Sequence, residues 1–151
     1  MGTHCVFLGL GSNLGNRKHH ISRAIRLIGE RVGDVLCQSS FYETEPWGFE
    51  SKNRFVNAVV KVRTTLLPRE VLEMTQEIER EMGRRHKSQM ASDGISPIYQ
   101  DRVIDIDILL YDDITIDEPD LKIPHPLMSQ RDFVMIPLSE VMEELYECTR
   151  S

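Results

Sequence analysis

The stretch RVIDIDILLYDD, from Arg102 to Asp113, constrains the fold more than any other part of the chain. Apolar residues stand at every second position from Ile104 to Leu110, mostly β-branched. That pattern predicts a half-buried strand with Ile104, Ile106, Ile108 and Leu110 toward a core. The opposite face then carries Asp105 and Asp107. At about 3.3 Å rise per residue the two acids stand about 6.7 Å apart. Like charges at that separation repel by roughly 2.5 kcal/mol at an effective dielectric near 20. Either water solvates such a face, or cations turn the repulsion into attraction.

Periodicity and turn chemistry divide the rest of the chain. Cys5 to Leu10 reads as a strand and GSNLGN as a turn into an amphipathic helix from Asn16 to Arg31. Ile21, Ala24, Ile25, Ile28 and Val32 form its apolar stripe, and Gly33 supplies the stop. Val35 to Tyr42 reads as a second strand, and ETEPWGFESKN as a long connection. Phe55 to Arg63 is a third strand, with Val56, Ala58, Val60 and Val62 on one face and Phe55 and Asn57 on the other. A second helix starts at Pro68, a residue suited to a first helical turn, and Glu70 favours the same end. Its stripe is Val71, Met74, Thr75, Ile78 and Met82. Gly83 to Asp101 has no period and reads as a long functional loop. Beyond the acidic strand, DDITIDEPD predicts a hairpin return, and HPLMSQRDFVMIPLSEVM a short helix and a C-terminal helix.

The order strand, helix, strand, strand, helix, strand is the split βαβ of a ferredoxin-like α+β sandwich. It implies a largely antiparallel sheet with helices on one face and the other face left for a ligand. The 151 residues suit one domain, 1–151. A formal charge of -6 argues against a protein that lives on bulk attraction to nucleic acid or an anionic membrane. Any anion site is therefore local. Cys5, Cys37 and Cys148 lie far apart without a paired metal-binding spacing, which suits a reducing, cytoplasmic compartment. No apolar run approaches the roughly 18 residues of a membrane span, and CVFLGL is too short for a secretory signal.

Local cations do occur. GRRHK places Arg84, Arg85 and Lys87 where the second helix meets the long loop, and Arg102 directly precedes the acidic strand. Cations at a helix end also complement its dipole, so both readings stand for that cluster. Mg²⁺ prefers one or two carboxylates plus waters and substrate phosphates to a closed protein cage. Asp105, Asp107 and Arg102 together therefore suit a metal-bound polyphosphate. Gly9, Gly11 and Gly15 do not keep the dinucleotide-binding spacing, and no P-loop pattern is present. GLGSNLG reads instead as a tight strand-to-helix turn.

Six segments in order, LGLGSNLGNR, SSFYETEPWG, FVNAVVKV, REMGRRHK, RVIDIDILLY and IPHPLMSQRDFVMIPL, resemble the 6-hydroxymethyl-7,8-dihydropterin pyrophosphokinases of folate biosynthesis. The resemblance covers nearly the whole chain, and Arg102 with Asp105 and Asp107 is its most specific element. It implies a ferredoxin-like fold and transfer of pyrophosphate from ATP, the co-substrate, to the pterin hydroxymethyl oxygen, releasing AMP. By the same resemblance, Asp105 and Asp107 hold two Mg²⁺ ions. Phe55 and Phe133 sandwich the pterin, Asn57 bonds its edge, and the backbone around Thr44 and Trp47 completes the slot. Gln76, Glu79, Arg84, Lys87, Arg102, His125 and Arg131 serve ATP, with Arg84 and Arg102 offsetting charge in the reaction. Gln100, Asp101, His86, Pro126 and Glu45 depart from the residues usual in the family. The expectation is a cytoplasmic monomer acting on small molecules, with no nucleic-acid or membrane partner. A non-catalytic small-molecule-binding module and a metal-dependent nucleotide hydrolase are the alternatives.

Overall fold

The computed structural model of the chain describes residues 2–44, 55–83, 103–126, 128 and 132–148. Its elements are β1 (His4–Ser12), α1 (Arg17–Arg31), β2 (Asp34–Gln38), β3 (Tyr42–Thr44), β4 (Phe55–Thr64), α2 (Pro68–Glu81), β5 (Asp105–Tyr111), β6 (Ile116–Glu118), β7 (Leu121–Ile123) and α3 (Asp132–Cys148). The main sheet runs β2-β4-β1-β5, with β3 also paired to β4, and every pairing is antiparallel. This is the ferredoxin-like order that the alternation of strands and helices predicts.

The helix ends follow their local chemistry. Asn16 caps α1 by accepting the His19 amide, and Pro68 opens α2 while the Glu70 carboxylate accepts the Leu67 amide at 2.8 Å. Burial by α1 and α2 then decides which way the sheet faces. Val6, Leu8 and Leu10 of β1, Val56, Ala58, Val60 and Val62 of β4, and Ile104, Ile106 and Ile108 at β5 all enter one core with Ile21, Ala24, Ile28, Val71 and Ile78. Each Val, Leu or Ile among them contributes about 1.5–3 kcal/mol when fully buried. The β6–β7 hairpin realises the predicted return. Arg69 at the start of α2 ties it down through Glu118 and Asp120.

Four expectations are corrected. The second face of the sheet is not left open: Val134, Leu138 and Val141 of α3, at helical spacing, pack there on Phe7, Cys37, Val59 and Leu109. α3 contacts β4, β2, β1 and β3 and meets β5 at Leu109 and Leu110, toward the C-terminal end of that strand. Leu110 does not join Ile104, Ile106 and Ile108, because the register slips between Phe7 and Leu8. The extra residue of this bulge reverses the alternation, so Leu109 and Leu110 both turn toward the α3 side. The segment 35–42 is not one strand. It breaks after Gln38, where Ser39 turns inward to exchange hydrogen bonds with the Val59 backbone, its amide donating to Val59 O and its Oγ accepting from Val59 N. Finally, β1 continues through Gly9 and Gly11 to Ser12, so GLGS is strand and the turn is confined to residues 13–16.

Gly33 ends α1 as expected, but its φ is not positive, and close approach is what demands glycine there. A Cβ at this position would stand 2.1 Å from the Arg63 carbonyl oxygen and 2.9 Å from Thr64 Cα. These are backbone atoms of β4, which cannot swing aside as a side chain would. Gly33→Ala is therefore expected to destabilise the fold by about 1–3 kcal/mol. Chemical denaturation of the variant checks this, with a fall in midpoint and an unchanged slope.

Candidate active site

The antiparallel register assembles a polar row across four strands. Tyr42 of β3 pairs with Asn57 of β4, Asn57 with Gly11 of β1, and Gly11 with Asp105 of β5. One step along the sheet, on the same face, Val59 pairs with Gly9 and Gly9 with Asp107. The polar members face away from α1 and α2 because their neighbours Val56, Ala58, Ile104, Ile106 and Ile108 are held in the core.

β1 contributes no side chain between Asn57 and Asp105. Two strand spacings of about 4.8 Å separate these groups by roughly 10 Å, and Gly9 and Gly11 form the floor of the trough between them. A Cβ on Gly11 would lie 3.1 Å from Asn57 Oδ1 and 3.4 Å from Phe55 Cδ1. Asn57 and Phe55 thus stand side by side at the floor, with Asn57 only 6% exposed. A Cβ on Gly9 would meet Leu109 Cδ1 at 3.4 Å, so the bulge residue closes the trough toward the α3 core.

The outer flank of β5 is gripped from two elements. Glu79 of α2, 1% exposed, accepts the Ile106 amide at 2.8 Å, between the two aspartates in sequence. The His125 amide donates to Leu109 O at 3.1 Å, which brings the segment after β7 to the same strand. Gln76 lies one turn before Glu79 on α2, half-buried. Asp105 and Asp107 are themselves half-buried.

Phe55, Asn57, Asp105 and Asp107 thereby share one face of neighbouring strands, while Glu79 meets the outer edge of β5 at Ile106 and the His125 backbone meets it further along at Leu109; Gln76 is placed by its position one turn before Glu79. Thr44 and Phe133 are located by backbone: Thr44 pairs with Phe55 in the last position of β3, and Phe133 lies in the first turn of α3. Trp47, Arg84, Lys87, Arg102 and Arg131, with residues 84–101 of the expected loop and most of the expected short helix, lie outside the described residues. The structure adds residues that sequence reasoning passed over: the glycine floor, Tyr42 in the polar row, and Asn13, buried just past β1. The alternation of Gly9 and Gly11 with Leu8 and Leu10 was the available signal for the floor.

Residues 7–143 match the family model of 7,8-dihydro-6-hydroxymethylpterin-pyrophosphokinase (HPPK). The chain belongs to this family. It is 51% identical over 142 residues to the 2-amino-4-hydroxy-6-hydroxymethyldihydropteridine pyrophosphokinase of Porphyromonas gingivalis, covering 93% of this chain and 92% of that one. It is 41% identical over 136 residues to the enzyme of the same name from Aquifex aeolicus, covering 90% of this chain and 79% of that one. Among solved structures, a triple-mutant HPPK-DHPS from Plasmodium falciparum superposes with a TM-score of 0.72 at 18% identity, covering 92% of this chain. This chain spans 40% of that protein, and the likeness shows a shared fold. The HPPK reaction is transfer of pyrophosphate from ATP to hydroxymethyldihydropterin in folate synthesis.

The glycine floor has a measurable consequence. Gly11→Ala is expected to leave melting nearly unchanged, since Gly11 has no positive φ, while crowding Asn57 and Phe55 by a few tenths of an ångström. Displacement on that scale at a positioning group lowers turnover of hydroxymethyldihydropterin by about tenfold, which steady-state AMP release measures.

Proposed function

We propose that the chain carries out the HPPK reaction in the trough between β4 and β5, as a single domain over 1–151. The observation that carries this reading is the row Asn57–Gly11–Asp105, which sets an amide and an acid on either side of a strand position that carries no side chain. A flat heterocycle fits the Phe55–Asn57 side, where an aromatic face stacks and a buried amide matches a polar edge. A buried amide left unpaired rejects the wrong edge strongly. Phe133 would form the second plate, and the backbone around Thr44 and Trp47 the rim.

On the β5 side, Asp105 and Asp107 suit a hard divalent cation. Among the described residues no group of three or more His, Cys, Asp or Glu is arranged to hold a metal. A two-carboxylate donor set is what Mg²⁺ uses when phosphates complete its shell. We assign Asp105 and Asp107 to two Mg²⁺ ions, which when bound supply charge neutralisation along the phosphate chain. Gln76, Glu79 and His125 flank the same strand, and with Arg84, Lys87, Arg102 and Arg131 they are assigned to ATP.

The chemistry is an in-line displacement. The hydroxymethyl oxygen forms a bond to the β-phosphorus as the bond from that phosphorus to the α,β-bridging oxygen breaks; AMP leaves with that oxygen, and the hydroxyl proton passes to a phosphate oxygen or water. Positioning and electrostatics dominate phosphoryl transfer, so the site needs no strong base, and none is assigned. Arg84 and Arg102 would offset charge on the phosphates in flight. A monomeric cytoplasmic enzyme acting on two small molecules, without nucleic acid, fits the net charge of -6. Among the described residues no helix is long and apolar enough to cross a membrane.

The test mixes protein, ATP, Mg²⁺ and hydroxymethyldihydropterin and follows products by phosphorus NMR. AMP formed only with the pterin is expected; AMP or ADP formed equally without it would identify a hydrolase. Asp107→Ala should melt within a few degrees of the parent, because its side chain faces away from the core, and should lose about 10²–10³-fold in turnover. Phe133→Ala should weaken pterin binding more than ATP binding, as read by titration calorimetry.

A further inference from the structure

α3 does more than cover the sheet. Glu140, in its third turn, presents both carboxylate oxygens to the break between β2 and β3. Oε1 accepts the Ser40 amide at 2.6 Å and the Ser40 hydroxyl at 2.8 Å, and Oε2 accepts the Tyr42 hydroxyl. Three donors on one carboxylate hold the acid ionised: the Tyr42 bond first, then those from Ser40, keep its pKa below the ordinary carboxylate range. The same contact pushes the Tyr42 phenol up, so its proton stays in place. Sequence distance makes this cluster informative, because Ser40 and Glu140 are separated by 100 residues.

Both segments it joins lead into the pterin side of the trough. Tyr42 pairs with Asn57, and two residues on, Thr44 pairs with Phe55. On the other side, α3 begins at Asp132 and carries Phe133 in its first turn. Val134, Leu138 and Val141 seat the helix on the sheet, so a carboxylate on its third turn is anchored through that packing. β3 is three residues long and, on the β2 side, follows an irregular break, so its own ladder holds it weakly. The strand's position against Asn57 and Phe55 then depends on an external tie.

We propose that Glu140 is a positioning residue for the pterin: through Ser40 and Tyr42 it fixes β3 relative to α3 and so sets the width of the slot. The inference rests on the assignment of Phe55 and Asn57 to that slot. The two Ser40 bonds are solvent-exposed and the Tyr42 bond is half-buried. Their loss is read here as a change in pterin affinity and not only in stability.

The experiment measures dissociation constants of hydroxymethyldihydropterin, with Mg²⁺ and a non-cleavable ATP analogue present, and of the analogue alone, together with melting temperature. Glu140→Leu keeps the side-chain volume and removes the acceptors. It is expected to weaken pterin binding about tenfold while the ATP analogue stays within about twofold. Glu140→Gln should restore pterin affinity, since its carbonyl can accept from Ser40 and its amide can donate to the Tyr42 oxygen. Tyr42→Phe, which preserves the ring, should weaken the pterin alone and add nothing further in the Glu140→Leu background. It decides the matter if Glu140→Leu does not fold. Pterin affinity unchanged in Glu140→Leu or Tyr42→Phe, or equal losses for both ligands that track a lower melting temperature, would overturn the inference. Asn57→Ala separates the levels: if it leaves pterin affinity intact, the slot assignment falls and the inference with it. If it weakens the pterin while Glu140→Leu does not, the inference falls alone.

Discussion

Everything at the trough depends on the alternation of side chains across three neighbouring strands, β4, β1 and β5, held in phase by one core. Val56, Ala58, Val60 and Val62, then Leu8 and Leu10, then Ile106 and Ile108 are buried together against α1 and α2. A slip of one residue in any strand would expose its whole apolar set. That penalty pins the register. Register in turn brings Asn57, Gly11 and Asp105 into a single row, so the core stabilises the fold and aims the site in the same act.

The centre of the row is as informative as its ends. β1 lies between β4 and β5, and its two glycines place no side chain between Asn57 and Asp105; Leu109 packs close over Gly9 and belongs to the α3 core. α3 therefore packs one part of that sheet face, reaching β5 at Leu109. Glu79 and the His125 backbone then hold the flank of β5, the strand bearing both aspartates. An edge strand with its backbone groups satisfied by α2 and the post-hairpin segment is better fixed than one left to solvent.

Much of this was legible in the sequence. The acidic strand, the valine strand and both covering helices declared themselves by period, and their order identified the sandwich. Asp105, Asp107, Phe55 and Asn57 were readable as members of polar faces because strand parity is a local property. The division of 35–42 into β2 and β3 was hidden, because it depends on Ser39 exchanging hydrogen bonds with Val59, a residue 20 positions away. Leu110 was misassigned for a similar reason: the bulge that reverses its direction is decided by how β5 meets Phe7 and Leu8 of β1. Gly9 and Gly11 looked like a turn because glycine signals one in isolation, whereas pairing on both sides keeps them extended.

The sequence by itself determined most of the strands and helices and, away from the β5 bulge and the break between β2 and β3, which residues share a face, since both follow from interactions between near neighbours in the chain. The match to the HPPK family is of the same linear kind. Only the tertiary structure decided that α3 closes half of the second face, that the glycine floor lies between Asn57 and Asp105, and that Glu140 reaches Ser40 and Tyr42. Those outcomes require segments many tens of residues apart to meet. What selects such meetings is the joint burial of apolar surface and the pairing of backbone groups across the whole domain, which no short window of sequence contains.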